Sequence, residues 1–103
     1  MNGLDNVQRW LEAGKQVGKN TTVEKNGENY WLSVGIQKWE GIYKLYVSEI
    51  EESLMPNDDY LTEEIIRINT FEELPSVMAA KTLIKLKELT PLKGQKIFNP
   101  KFD

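Results

Sequence analysis

The stretch TTVEKNGENYWLSVGIQKWEGIYKLYVSEI, residues 21–50, decides the fold. Asn26-Gly27 is the strongest two-residue hairpin signal, because both central positions of a type I′ turn need positive φ, which Asn and Gly adopt most easily. Counting outward from it sets Lys25 opposite Glu28 and Val23 opposite Tyr30. Glu40-Gly41 is a weaker second turn. Counting from that one pairs Trp39 with Ile42, Ile36 with Leu45 and Val34 with Val47. Gly35 then falls opposite Tyr46, a small residue that a cross-strand aromatic can cover.

Strand side chains alternate between faces, and the two hairpins agree on which face is which. Tyr30, Leu32, Val34, Ile36, Leu45 and Val47 share one. Trp31, Trp39, Ile42, Tyr46 and Ile50 share the other. A slip of a single residue would scramble this agreement. The centre is therefore read as a three-stranded antiparallel meander. Its second face holds two tryptophans, so either a helix or second layer covers it, or it is an exposed aromatic patch for a partner.

Working outward, residues 4–17 read as a helix. Leu4, Val7, Leu11 and Val17 lie along one face with Trp10 beside them, and Gly18 serves as the C-terminal stop. Gly14, inside that span, argues against it. Residues 51–60 read as an acidic loop, with turn chemistry at Pro56-Asn57-Asp58. Residues 61–69 can make a fourth strand with Ile66 and Ile68 inward and Ile65 and Arg67 outward; a short helix from Thr62 competes. Thr70 and Glu73 fit a capping box ahead of a helix carrying Phe71, Leu74 and Met78. Pro75 fits that helix poorly unless the helix restarts there. From Leu83 onward, Pro91, Gly94 and Pro100 argue against long regular elements. The expectation is one α+β domain over residues 1–103: an antiparallel sheet of three to four strands with an N-terminal and a C-terminal helix packed against it.

The chain has no cysteine and no histidine. That excludes disulfides, thiol nucleophiles, Cys/His zinc sites, Ser-His-Asp triads and histidine bases. Carboxylate, lysine or tyrosine chemistry would need strongly tuned groups. The expectation is a non-catalytic protein without cofactor or metal. No apolar run is long enough to span a bilayer, and the N-terminus lacks the pattern of a signal peptide. The cytoplasm is the expected location.

Net charge is −3 but unevenly spread. Residues 49–73 carry nine carboxylates against Arg67 alone, whereas residues 81–103 carry six lysines against Glu88 and Asp103. The acidic stretch is either a solvated loop and strand face or a docking surface for a basic partner, since a single-sign field steers association. The candidate partner-binding residues are Glu49, Glu51, Glu52, Asp58, Asp59, Tyr60, Glu63 and Glu64. Carboxylates here could also ligate magnesium or calcium, but the calcium-loop spacing is absent. Leu92-Lys93-Gly94-Gln95-Lys96 lacks the second glycine and the hydroxyl of a phosphate loop. Lys81, Lys85, Lys87, Lys93, Lys96 and Lys101, interleaved with Phe98 and Phe102, could hold nucleic acid by phosphate contact and stacking. The acidic overall balance weighs against that alternative.

The size, acidic patch and hairpin-rich centre, with Thr70-Phe71-Glu72-Glu73-Leu74 leading to a short helix and then Leu92-Lys93-Gly94-Gln95-Lys96-Ile97-Phe98-Asn99-Pro100, resemble immunity proteins of bacterial contact-dependent and polymorphic toxin systems. The resemblance implies a small cytoplasmic α+β protein that binds and neutralises one cognate toxin. Many such toxins are nucleases with basic substrate sites. Carboxylates set where phosphates would lie can occlude such a site. No binding residue is carried over by motif; the candidates above rest on charge.

Overall fold

Both hairpin turns carry positive φ at both central positions, 53° at Asn26 and 83° at Gly27, then 52° at Glu40 and 86° at Gly41. That is the backbone twist that lets flanking strands pair tightly. In the computed structural model, which describes residues 3–52, 62–92 and 97–101, these turns join β1 (Val17–Lys25), β2 (Glu28–Trp39) and β3 (Ile42–Glu51). The register is the one counted from the turns: Val23 opposite Tyr30, Val34 opposite Val47, Gly35 opposite Tyr46.

Residues 62–68 form strand β4 (Thr62–Ile68), which pairs antiparallel with β3, setting Ile66 opposite Leu45 and Ile68 opposite Tyr43. The competing helix from Thr62 is not formed. Among the described residues the sheet has five strands rather than three or four. The fifth, β5 (Thr90–Pro91), pairs with Val17 and Gly18 at the far edge, giving the order β4-β3-β2-β1-β5. A proline in a strand is tolerated at such an edge, where its missing N–H costs no ladder bond.

The first helix, α1 (Gly3–Glu12), is shorter than the expected span to residue 17. Gly14 ends it, at φ 82°. The Lys15 amide donates to the Trp10 carbonyl at 3.0 Å and the Gly14 amide to Leu11 at 3.0 Å, the bond pair of a Schellman cap. Val17 and Gly18 belong to β1 instead. Gly18 is required there by contact: a Cβ would lie 2.6 Å from both Ile97 Cδ1 and the Val34 carbonyl. Further on, Phe71–Glu73 is a single 3-10 turn, and the helix proper, α2 (Leu74–Lys81), places Pro75 in its first turn, where a missing N–H is harmless. Glu73 accepts from the Thr70 amide at 3.0 Å, as a capping box requires. The expected capping box between Thr70 and Glu73 is present, and the Thr70 hydroxyl also donates to the same carboxylate at 2.8 Å. This helix lies before an irregular tail, not at the end of the chain.

Among the described residues, the helices pack on one face of the sheet. Val34, Ile36 and Leu45 meet Val7 and Leu11 of α1, Leu74 and Met78 of α2, and Ile84, Leu86 and Leu89 beyond it in one buried cluster. Glu12 clips the end of α1 to the strands, accepting from Lys38 Nζ at 2.8 Å and from the Tyr43 hydroxyl at 2.7 Å. Lys38 first and Tyr43 second hold the Glu12 carboxyl below its ordinary range, while burial and then Glu12 push Tyr43 up to about 12.

Among the described residues, neither a helix nor a second sheet covers the opposite face. The tail crosses it. Phe98 stacks on Tyr46 with ring centroids 5.6 Å apart and planes at 11°, and it sits over Gly35, where a Cβ would be 3.0 Å from its ring. Buried Gln16 fastens this segment. Its amide nitrogen donates to the Phe98 carbonyl at 2.8 Å, and its oxygen accepts from the Ile97 amide at 2.9 Å. Lys44, also buried, donates to the Pro100 carbonyl at 2.7 Å. These bonds satisfy polar groups that burial would otherwise penalise.

Candidate partner-binding site

Antiparallel pairing gathers the acidic residues at one end of the sheet. Lys25 pairs with Glu28, Tyr30 with Glu51, and Glu49 with Thr62, so the first hairpin turn, the end of β3 and the start of β4 lie together. Among the described residues this end carries Glu24, Glu28, Glu49, Glu51, Glu52, Glu63 and Glu64, with Lys25 and Lys81 as its cations. Of the sequence candidates, Glu49, Glu51, Glu52, Glu63 and Glu64 are thus brought to one place. Asp58, Asp59 and Tyr60 lie outside the described residues.

Strand alternation divides the cluster. Glu63, opposite Ser48, points to the tail-covered face and accepts from the Tyr46 hydroxyl at 2.8 Å. Burial and then Glu63 raise the tyrosine above its ordinary value. Glu64, opposite Val47, points to the helix-covered face and pairs with Lys81 at 3.2 Å. Glu49 pairs with Lys25 on that same face. Both ion pairs are substantially exposed, so each is worth under about 1 kcal/mol.

Glu28 was not among the sequence candidates. It is exposed, and its carboxyl lies beside that of Glu51, which raises it above its ordinary value through a shared hydrogen bond and like charge. The signal was present in the sequence: the hairpin count that sets Lys25 opposite Glu28 carries that strand end alongside Glu51.

Between this end of the sheet and the last turn of α2 runs a cleft of about 290 Å³. Leu32 and Val47 line it from the sheet, Ala79 and Ala80 from α2, with the Glu49–Lys25 and Glu64–Lys81 pairs also on its lining. Leu83, a further lining residue, is 62% exposed, the most exposed large hydrophobic among the described residues. No pattern in the sequence indicated this cleft, since α2 and the strands meet only through the fold.

The lysine-rich tail looks different. Phe98 is buried under the packing described above, so its ring is not free to stack on a base. Lys93, Lys96 and Phe102 lie outside the described residues. Lys85, Lys87 and Lys101 are exposed. Trp31 is 38% exposed, and Trp39 is half-buried. Among the described residues no group of three or more carboxylates is arranged to hold a metal ion, and no helix is long and apolar enough to cross a membrane.

No family model, curated protein or solved structure matches the chain.

Proposed function

We propose that this is a non-catalytic binding protein of the cytoplasm that docks a basic macromolecular partner on the acidic end of its sheet. The partner it fits is a cognate bacterial toxin, of nuclease type, whose basic active site the carboxylates occlude. The observation that carries this reading is the strand register, which gathers Glu24, Glu28, Glu49, Glu51, Glu52, Glu63 and Glu64 at one end of the sheet, with Glu28 and Glu51 side by side. Two carboxylates held side by side repel each other, and a cationic surface relieves that repulsion on contact. The concentrated field also raises the encounter rate with a positively charged partner. The carboxylates would stand where the phosphates of a nuclease substrate bind. Against the nucleic-acid alternative stands Phe98, whose ring is committed to Tyr46.

The test is capture from the native host with tagged parent protein and a variant in which Glu28, Glu51, Glu52 and Glu63 are reversed to lysine. A basic toxin retained by the parent and lost by the variant supports the proposal. Equal retention by both, or salt-sensitive recovery of nucleic acid in its place, contradicts it.

A further inference from the structure

We infer that the cleft between the acidic end of the sheet and the last turn of α2 is a socket for one arginine side chain of the partner. The inference rests on the reading of this end as the partner-facing surface, and it specifies what that surface grips.

Three features at the cleft favour a cation with an apolar stem. Glu49 and Glu64 lie on strands β3 and β4, both in the cleft lining and both on the helix-covered face. The wall supplied by Ala79 and Ala80 belongs to the last turn of α2, the partially negative pole of the helix, whose terminal carbonyls have no helical N–H to accept from. Thr82 closes that helix with a single bond from its amide to the Met78 carbonyl, 2.8 Å long. Leu32 and Val47 supply apolar surface suited to methylenes.

The present partners of the two carboxylates do not block such a guest. The side chains of Lys25 and Lys81 are about 40% exposed, and exposed pairs of this kind are worth under about 1 kcal/mol, little to displace. A guanidinium offers five donors in a planar fork and engages carboxylates two bonds at a time, which an ammonium cannot do. Glu49 and Glu64, which share the lining, are the carboxylates it would engage. The cleft volume of about 290 Å³ accommodates one such side chain. Beyond the lining, Glu28, Glu51 and Glu52 extend the negative field outward, so the guest enters along a favourable gradient.

The experiment uses the full chain, labelled at its Leu and Val methyls, titrated with N-acetylarginine amide and, separately, with the neutral isostere N-acetylcitrulline amide. The expected result is a saturable shift of the Leu32, Val47 and Leu83 methyls with the arginine compound, with a dissociation constant on the order of millimolar. Binding weakens at least fivefold with the citrulline compound, and by as much for arginine in the Glu49→Gln/Glu64→Gln variant, whose amide spectrum otherwise stays that of the parent. Equal shifts with both compounds, or no saturable shift at these methyls, overturn the socket. Capture of the native partner separates the two proposals. If Glu49→Gln/Glu64→Gln retains the partner as well as the parent does while the four-residue reversal loses it, the socket fails and the acidic-surface reading stands. If the reversal also retains it, the acidic-surface reading itself fails.

Discussion

Glu28 lies beside Glu51 at the turn end of the first hairpin, and the second carboxyl holds the first above the ordinary glutamate value. A raised carboxyl in the folded state binds its proton more tightly than in the unfolded chain. Its contribution to stability is therefore fully present below the unfolded value and is lost as pH rises through the folded one. Glu12 has the opposite sign: Lys38 and Tyr43 lower its carboxyl, so its contribution is present at neutrality and lost as pH falls through the lowered value. Carboxyl-detected NMR titration should place Glu28 above the ordinary range, and Glu51→Gln should return it there. An unchanged Glu28 titration in that variant would show that Glu51 is not its neighbour in solution.

The register of the meander makes a sharper demand. Val34 is fully buried, opposite Val47. Val34→Asp puts an uncompensated charge into the core and should cost at least 4 kcal/mol, roughly the threshold of exceptional single-site effects, leaving the chain largely unfolded at 25 °C. Lys25→Ala removes an exposed ion pair with Glu49 and should cost under about 1 kcal/mol. Chemical denaturation of both variants checks the contrast, and parent-like stability of Val34→Asp would show the register to be wrong.

Much of the sheet was legible because turn chemistry and alternation both act over neighbouring residues. Asn26-Gly27 and Glu40-Gly41 fixed two hairpins, and Ile66 and Ile68 placed the fourth strand on the correct face. The end of α1 differs from the sequence expectation because Gly14 weakens a helix in propensity, whereas here its left-handed backbone is the cap itself. The cover of the second face was not legible. Phe98 reaches Tyr46 and Gly35 across a long stretch of sequence, held by the Gln16 side chain, and no local pattern encodes such a contact. The acidic site was legible as a count of charges but not as an arrangement. Alternation sends neighbouring Glu63 and Glu64 to opposite faces, and Lys25 and Lys81 come from elsewhere to pair with part of it.

Glu40 supplies a test of the second turn. It holds a φ of 52°, a left-handed conformation that costs an ordinary side chain roughly 1–2 kcal/mol and that Asn tolerates better. Glu40→Asn should stabilise the protein by about 0.5–1 kcal/mol, raising Tm by roughly 2–8 °C. A lower Tm would mean that the turn takes another geometry.

The acidic end of the sheet, rather than the lysine-rich tail, is proposed to meet the partner. Stopped-flow association with the captured partner tests this most directly, comparing the parent with the Glu28, Glu51, Glu52 and Glu63 reversal to lysine across a range of salt. Because charge complementarity acts mainly on encounter, association of the reversed protein should be at least about tenfold slower at low salt, with a flattened dependence on ionic strength. Neutralising Lys85, Lys87 and Lys101 should leave both rates near those of the parent. If the acidic reversal changes neither rate while the lysine changes abolish binding, the partner docks on the tail and not on the acidic end of the sheet.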